Sequence, residues 1–371
     1  MAKGGRYLNA KPKKKGGWGK KILVTVLVLL LLLVGGGIIA GVAYYNSMLN
    51  LVTRPETQAT ENVLSDEQLE AILGYVPEKI ETQPAQQETL PAETEPEKEV
   101  EDNIVNIMLI GQQARGTEVA KLSDTMILCS INKETKTITL TSFLRDLYIK
   151  LPDFQGHECG MNRINVAYNL GWNWAGELGG MEMLDQLILE NFGVEIDYNV
   201  EVGFEAFKKV IDVLGGVDVK LNTDEANHIG VGTSAGTYHL DGETALKYAR
   251  LRSIDNDMNR ANRQRTLITN ILNKCRYMSL TDLHKMLKEI LPLVITDMTN
   301  EEITACALEL LPMLIDLNIV SNQCPAEGTY WFDMLDIIGV ESSVIKCDVE
   351  ENGKLLRAIA EPPEAETQPA Q

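Results

Sequence analysis

Histidine is scarce here, acid is missing from one end of the chain, and charge of either sign is missing from the stretch that follows. The four histidines, at 157, 228, 239 and 284, show no ligand spacing, which argues against a zinc centre. Residues 1–21 contain no acid but eight Lys/Arg, and residues 22–53 contain no charge at all. The formal net charge of −19 therefore divides into +8 on the first 21 residues and −27 on the remainder. Such a split describes a membrane protein rather than an acidic cytosolic one. It also argues against nucleic acid as a partner, because the folded portion would meet phosphates with negative charge of its own. The six cysteines have neither a staple-framework nor a zinc-knuckle spacing. Cys129 sits in the apolar run Met126–Ile131 and reads as a buried thiol. Cys324 and Cys347 flank a short β-like region and are the expected pair if any disulfide forms.

Composition divides the chain. Residues 1–21 form a basic cytoplasmic tip. Residues 22–45 are apolar and, as a helix at about 1.5 Å per residue, reach roughly 36 Å, enough to cross a bilayer with some tilt. A cleaved signal peptide is the alternative, but the uncharged run exceeds the usual apolar region of one. The positive charge before the span places the N-terminus in the cytoplasm and the C-terminal domain outside, a single-pass protein of the cell membrane. Residues 46–102 form an acidic, Pro-containing extracellular spacer; from Arg54 to Asp102 it carries 14 acids against three bases. Residues 103–280 and 281–359 are the folded part, the latter either the same domain or a small appendage, and 360–371 is a disordered tail.

Asn106–Ile110, Thr125–Ile131 and Thr137–Ser142 read as strands, the last two joined as a hairpin through a polar Asn132–Lys136 connector. Met181–Phe192, Phe204–Leu214, Asp241–Leu251 and Arg260–Cys275 have helical periodicity, and Val217–Leu221 reads as a strand. Interleaved strands and helices predict an α/β fold with a mixed sheet covered by helices. Gly232-Thr233-Ser234-Ala235-Gly236 matches the G-x-S-x-G of serine hydrolases, but that motif works only on a sharp strand-to-helix turn, and the residues after it open no long helix.

Arginine is absent between Ile164 and Ala249, yet five of the twelve (Arg250, Arg252, Arg260, Arg263, Arg265) fall within sixteen residues. Arg260, Arg263, Gln264 and Leu267 follow i, i+3, i+4, i+7 at the start of a helix, where positive side chains oppose the macrodipole. A bound anion would remove the conflict; pairing with Asp255 and Asp257 just upstream would do so without a ligand. Asp124 precedes one strand of the hairpin and Arg145 follows the other, so both belong near one sheet end. A carboxylate and several arginines there suit a magnesium-bound pyrophosphate, or else a surface ion-pair cluster.

Eight ordered blocks carry a resemblance: Asn106–Gly111, Ser123-Asp124-Thr125-Met126, Phe143-Leu144-Arg145-Asp146, Asn162–Tyr168, Leu214–Val217, Leu240–Leu246, Tyr248–Arg252, and Asp257 to Arg263-Gln264. Together they resemble the LytR-CpsA-Psr family over roughly residues 104–280, more loosely to 359. The resemblance implies a three-layer α/β/α domain with a central mixed sheet behind one transmembrane helix. It implies a Mg²⁺-dependent (or Mn²⁺-dependent) phosphotransferase, moving an anionic glycopolymer of teichoic acid or capsule type from a polyprenyl-pyrophosphate carrier to peptidoglycan. Carried over block by block, Asp124, Arg145, Arg250 and Arg263 are catalytic, and Arg115, Arg163, Arg252, Arg260 and Gln264 bind substrate. Asp124 and Gln113 take the metal positions. An apolar groove for the polyprenyl tail is also implied, for which Met181–Phe192 and Phe204–Leu214 have apolar faces. The departure is at Gly111-Gln112-Gln113-Ala114-Arg115, where Gln113 replaces the acid of the family pattern, and at Leu122, where the family often has Arg. Glu118 is the nearby acid able to compensate. A weakened paralogue that binds lipid-pyrophosphate glycans or wall polymer as scaffold or sensor is therefore the alternative function.

Overall fold

The computed structural model describes residues 46–55, 70, 103–112, 123–310, 313, 316–337 and 340–361. The basic tip, the 22–45 span, most of the spacer and the tail from 362 lie outside the described residues, as do Gln113, Arg115, Glu118 and Leu122. Among the described residues no helix is long and apolar enough to cross a membrane. Residues 46–49, a helical turn, belong to one compact unit, and Asn50 onward forms a second that carries the sheet.

Its elements run β1 (Ile104–Gln112), β2 (Ser123–Asn132), β3 (Thr137–Phe143), β4 (Tyr148–Lys150), β5 (Met161–Arg163), α1 (Asn165–Phe192), β6 (Tyr198–Gly203) and α2 (Phe204–Val213). There follow β7 (Val217–Leu221), α3 (Thr223–Ile229), β8 (Gly236–Leu240), α4 (Gly242–Ala249), α5 (Asp257–Cys275), α6 (Leu280–Ile290), β9 (Val294–Thr296) and α7 (Asn300–Leu310). β10 (Asn318–Cys324), β11 (Tyr330–Ile337), β12 (Val340–Cys347) and α8 (Val349–Ala360) complete the chain. The central sheet has the order β10-β3-β2-β1-β6-β9. β1, β2 and β3 are an antiparallel meander, β6 runs parallel to β1 and β10 parallel to β3, and β9 closes the edge antiparallel to β6. The expected mixed sheet is present, and the segment after residue 280 supplies two of its six strands.

Alternation along the strands explains why helices cover both faces. Met108, Ile110, Met126 and Leu128 face one side, where Met181, Leu184, Leu187, Ile188 and Phe192 of α1 and Leu356 of α8 meet them. Ile107, Ile127, Cys129 and Leu140 face the other, against Ile268 and Leu272 of α5 and Cys306 and Leu310 of α7. Each fully buried large apolar side chain contributes about 1.5–3 kcal/mol. A third cluster joins α2, β7, α3, β8, α4 and α5 as an outer subassembly.

Two expectations need correction. The helix at Met181–Phe192 begins earlier: α1 has a first arm from Asn165, and the chain folds sharply at Ala175 and Gly176, the latter at φ 73°. Gly171 and Gly179 then approach so closely that a Cβ on Gly171 would lie 2.1 Å from the Gly179 carbonyl oxygen, which only glycine permits. Cys324 and Cys347 form no bond; both are free thiols, and burial pushes Cys347 up to about 11. Cys129 is a buried free thiol, raised by burial to about 12.

A buried polar knot ties α1 to β6. The Asn199 amide donates to Asp185 Oδ2 at 2.7 Å and to Asp297 Oδ2 at 2.9 Å. Burial, reinforced by Asp297 and Glu182 and opposed by Asn199, raises Asp185 to about 8. A carboxyl whose folded pKa is raised contributes stability fully present below its unfolded pKa and lost as pH rises through the folded value. The melting midpoint is therefore expected to lose this contribution as pH rises from about 4 to about 8. In Asp185→Asn most of that slope is expected to vanish; an unchanged slope in calorimetry would refute the assignment.

Candidate active site

Antiparallel pairing brings the start of β2 to the carboxyl end of β3, where Met126 lies across from Phe143. Asp124 and Arg145 thus share a sheet end, with Arg145 Nη1 3.4 Å from Asp124 Oδ1. The Arg145 Nε donates to Asp257 Oδ2 at 2.6 Å and lies 3.4 Å from Asp146 Oδ2. Asp257 opens α5 after its N-cap, Asn256, whose side chain accepts from Asn259 N. From the loop after α4, Arg252 Nη2 reaches the same Asp124 oxygen at 3.1 Å. Arg163, ending β5, lies 3.7 Å from Asp146 Oδ1, and Asp146 is braced from β12, whose Ile345 N donates to its carbonyl at 2.9 Å.

Among the described residues, cations outnumber anions here. Arg145, Arg163, Arg250, Arg252 and Arg260 stand against Asp124, Asp146 and Asp257, a local surplus of two positive charges on a chain that is −19 overall. Arg260 is 4% exposed, and its Nη1 lies 2.9 Å from Asp257 Oδ1 at an angle that makes no hydrogen bond. Burial, with repulsion from Arg145 and Arg252, lowers it to about 10 despite Asp257. Asp257 is lowered because Arg260 and Arg145 outweigh its burial, whereas burial raises Asp146 beyond what Arg145 and Arg163 offset. A cation so poorly satisfied is suited to an incoming anion.

The arginine pocket, about 100 Å³, is lined by Asp124, Arg250, Arg252, Arg260 and Gln264 among others. It runs into an apolar cavity of about 250 Å³ between the sheet and helices α2, α4 and α5. Six residues line both: Gly111, Thr125, Phe204, Ala249, Arg250 and Gln264. Arg250 sits at the junction, its guanidinium carbon 4.6 Å from the Phe204 ring centroid. Phe204, Phe207 and Val210 of α2 and Ile268, Ile271 and Leu272 of α5 make the apolar walls. Of the two helices expected at a groove, α2 lines it; Met181–Phe192 packs in the core on the opposite face of the sheet.

Asp124, Arg145, Arg250, Arg252, Arg260 and Gln264 are thus brought together, with Arg163 adjoining through Asp146. Arg263 is not among them. Its Nη1 and Nη2 donate to Asp255 at 2.6 and 2.8 Å, its Nη2 also to the Leu251 carbonyl, and Glu225 lies 3.5 Å away. Both upstream acids are used, Asp255 by Arg263 and Asp257 by Arg260. Gln113 and Arg115 lie outside the described residues. The Ser234 motif precedes strand β8 rather than a helix, so it is no nucleophile elbow. Asp257 was visible in sequence only as a neutralising partner, and the cavity residues of α5 only as a helical apolar stripe.

Residues 75–346 match the LytR_cpsA_psr family, 272 of the 371 residues. The chain belongs to that family. Its LytR_cpsA_psr relatives include the polyisoprenyl-teichoic acid–peptidoglycan teichoic acid transferase TagU of Oceanobacillus iheyensis, 35% identical over 47% of this chain and 52% of the relative. The transferase of the same description named TagT, from Bacillus subtilis, is 31% identical over 47% of this chain and 53% of its own. Across the first curated relatives the chain matches between 52% and 64% of their length. A solved structure of TagT bound to LIIa-WTA superposes with a TM-score of 0.54 at 26% identity, covering 70% of this chain and 91% of that one. The family match extends further at both ends than the 104–280 core on which the resemblance rests.

Proposed function

We propose that this protein is a membrane-anchored extracellular phosphotransferase that moves an anionic glycopolymer from a polyprenyl-pyrophosphate carrier to peptidoglycan. The observation that carries the reading is the continuity of an arginine pocket with an apolar cavity through six shared residues. An amphiphile with a doubly charged head and a hydrocarbon tail is complementary to that pair, and neither a soluble nucleotide nor a free fatty chain matches both halves. The relatives' names supply the substrate class. The uncharged 22–53 stretch behind a basic tip supports the anchor and its orientation.

In this reaction an acceptor hydroxyl oxygen bonds to the phosphorus bearing the glycan, the bridging P–O bond breaks, and polyprenyl phosphate leaves. The hydroxyl proton passes to a carboxylate of the cluster or to water. Arg252, Arg260 and Arg145 orient the pyrophosphate and meet the charge shifting onto the leaving phosphate, so positioning and electrostatics supply the rate. Both arginine contacts of Asp124 fall on Oδ1. One carboxylate oxygen supplemented by phosphate oxygens and water suits Mg²⁺ (or Mn²⁺), which when bound would neutralise part of the pyrophosphate charge. Gln113 as a second ligand would add an oxygen without charge.

Filling the cavity separates head from tail recognition. Ile268→Trp is expected to weaken binding of a long-chain polyprenyl-pyrophosphate glycan at least tenfold while leaving a short-chain, water-soluble analogue unaffected. Competition binding reads this directly, and equal affinities of variant and wild type for the long-chain donor would remove the cavity from the account.

A further inference from the structure

Helix α5 separates two recesses. Arg260 and Gln264 open on the arginine pocket, whereas Asn259, Asn262, Arg263 and Thr266 line a different cavity of about 480 Å³, a size ordinary for small-molecule sites. Its charges cancel: Lys220 and Arg263 face Glu225 and Asp255. Arg263 is 2% exposed, with Nη1 and Nη2 engaged and its Nε buried without a partner. The rim includes Ala235 of the Gly232–Gly236 loop. That loop is braced, because the Tyr238 hydroxyl donates to the Ser234 carbonyl at 2.8 Å, and a Cβ on Gly232 would sit 2.2 Å from the same hydroxyl oxygen.

We propose that this cavity binds a neutral saccharide, the glycan strand of the acceptor. A phosphate polymer would need surplus positive charge, which the cavity lacks, and a hydrocarbon would need apolar walls. Amides, the Thr266 and Tyr248 hydroxyls and balanced charges offer donors and acceptors side by side, matching a ring whose hydroxyls both donate and accept. The cavity also adjoins the chemistry: Asp255 lines it, and Asp257, two residues on, pairs with Arg145 and Arg260 of the candidate site. That the saccharide is the acceptor rests on the transferase reading; the binding of saccharide does not.

The test titrates the full-length chain, in a detergent without a sugar headgroup, with a neutral N-acetylglucosamine tetramer by calorimetry. Inorganic phosphate and a polyprenyl pyrophosphate serve as parallel titrants. Asn259→Leu and Asn262→Leu replace exposed positions of α5, and Thr266→Val stands in should either fail to fold. The tetramer is expected to bind the wild type and to bind each variant at least tenfold more weakly, with polyprenyl-pyrophosphate affinity unchanged. The proposal is overturned if the wild type does not bind the tetramer, if folded variants bind it as the wild type does, or if phosphate displaces it. Tetramer binding without polyprenyl-pyrophosphate binding would leave the saccharide site standing and remove the transferase reading.

Discussion

Asp124→Asn is expected to slow transfer by about 10²–10³-fold while the protein stays folded. The carboxylate is the common partner of Arg145 and Arg252 and, under the proposed function, would supply a hard oxygen to magnesium. The amide keeps the shape and loses the charge, so the loss falls on electrostatic stabilisation, worth about 10²–10³-fold in kcat/KM for a single group of this kind. Without metal, donor affinity is expected to hold or rise, because two guanidiniums are released from Asp124. Steady-state rates with and without Mg²⁺ and metal-free donor binding read the two effects separately. A variant that transfers at the wild-type rate would place Asp124 outside the chemistry.

Arg260→Met is expected to divide binding from stability. Arg260 is buried, its pKa is lowered to about 10, and its contact with Asp257 makes no hydrogen bond. Replacing a whole buried ion pair by well-packed apolar side chains is often neutral or stabilising by about 1–4 kcal/mol, whereas removing one partner destabilises when it strands the other charge. Asp257 keeps Arg145 as a partner at 2.6 Å, so the exchange does not strand it. Its pKa rises toward the ordinary value, however. A depressed carboxylate contributes stability above its unfolded pKa that is lost as pH falls through the folded value, and that acid-side term shrinks in the variant. The expected result is a melting midpoint at pH 7 no lower than wild type, with donor affinity reduced at least tenfold. Marked destabilisation with unchanged donor affinity would identify Arg260 as structural.

Local patterns made parts of this site legible. The polar segment Asn132–Lys136 implied a hairpin, and the hairpin alone places Asp124 beside Arg145. The periodicity of α5 and the acids before it announced a charged helix start. Spacing could not reveal how Arg260 and Arg263 divide: they lie within one turn, and the separation comes from Asp255 and the Leu251 carbonyl capturing one fork. Nor could two amphipathic helices declare which face of the sheet each covers, so α2 and the second arm of α1 looked equally suited to a groove. The first arm of α1 was hidden by its asparagines and glycines, residues of low helix propensity held by tertiary packing. β9 and β10 escaped for another reason: one is three residues long, and each pairs with a strand distant in sequence.

The most direct measurement is product analysis in a mixture of the full-length protein, a polyprenyl-pyrophosphate-linked glycan, Mg²⁺ and peptidoglycan oligomers. The predicted result is a covalent glycan–peptidoglycan conjugate formed together with polyprenyl phosphate. Tight binding of the lipid with neither product would contradict transfer, and products that then emerge with Gln113→Asp would identify the chain as a binding paralogue instead.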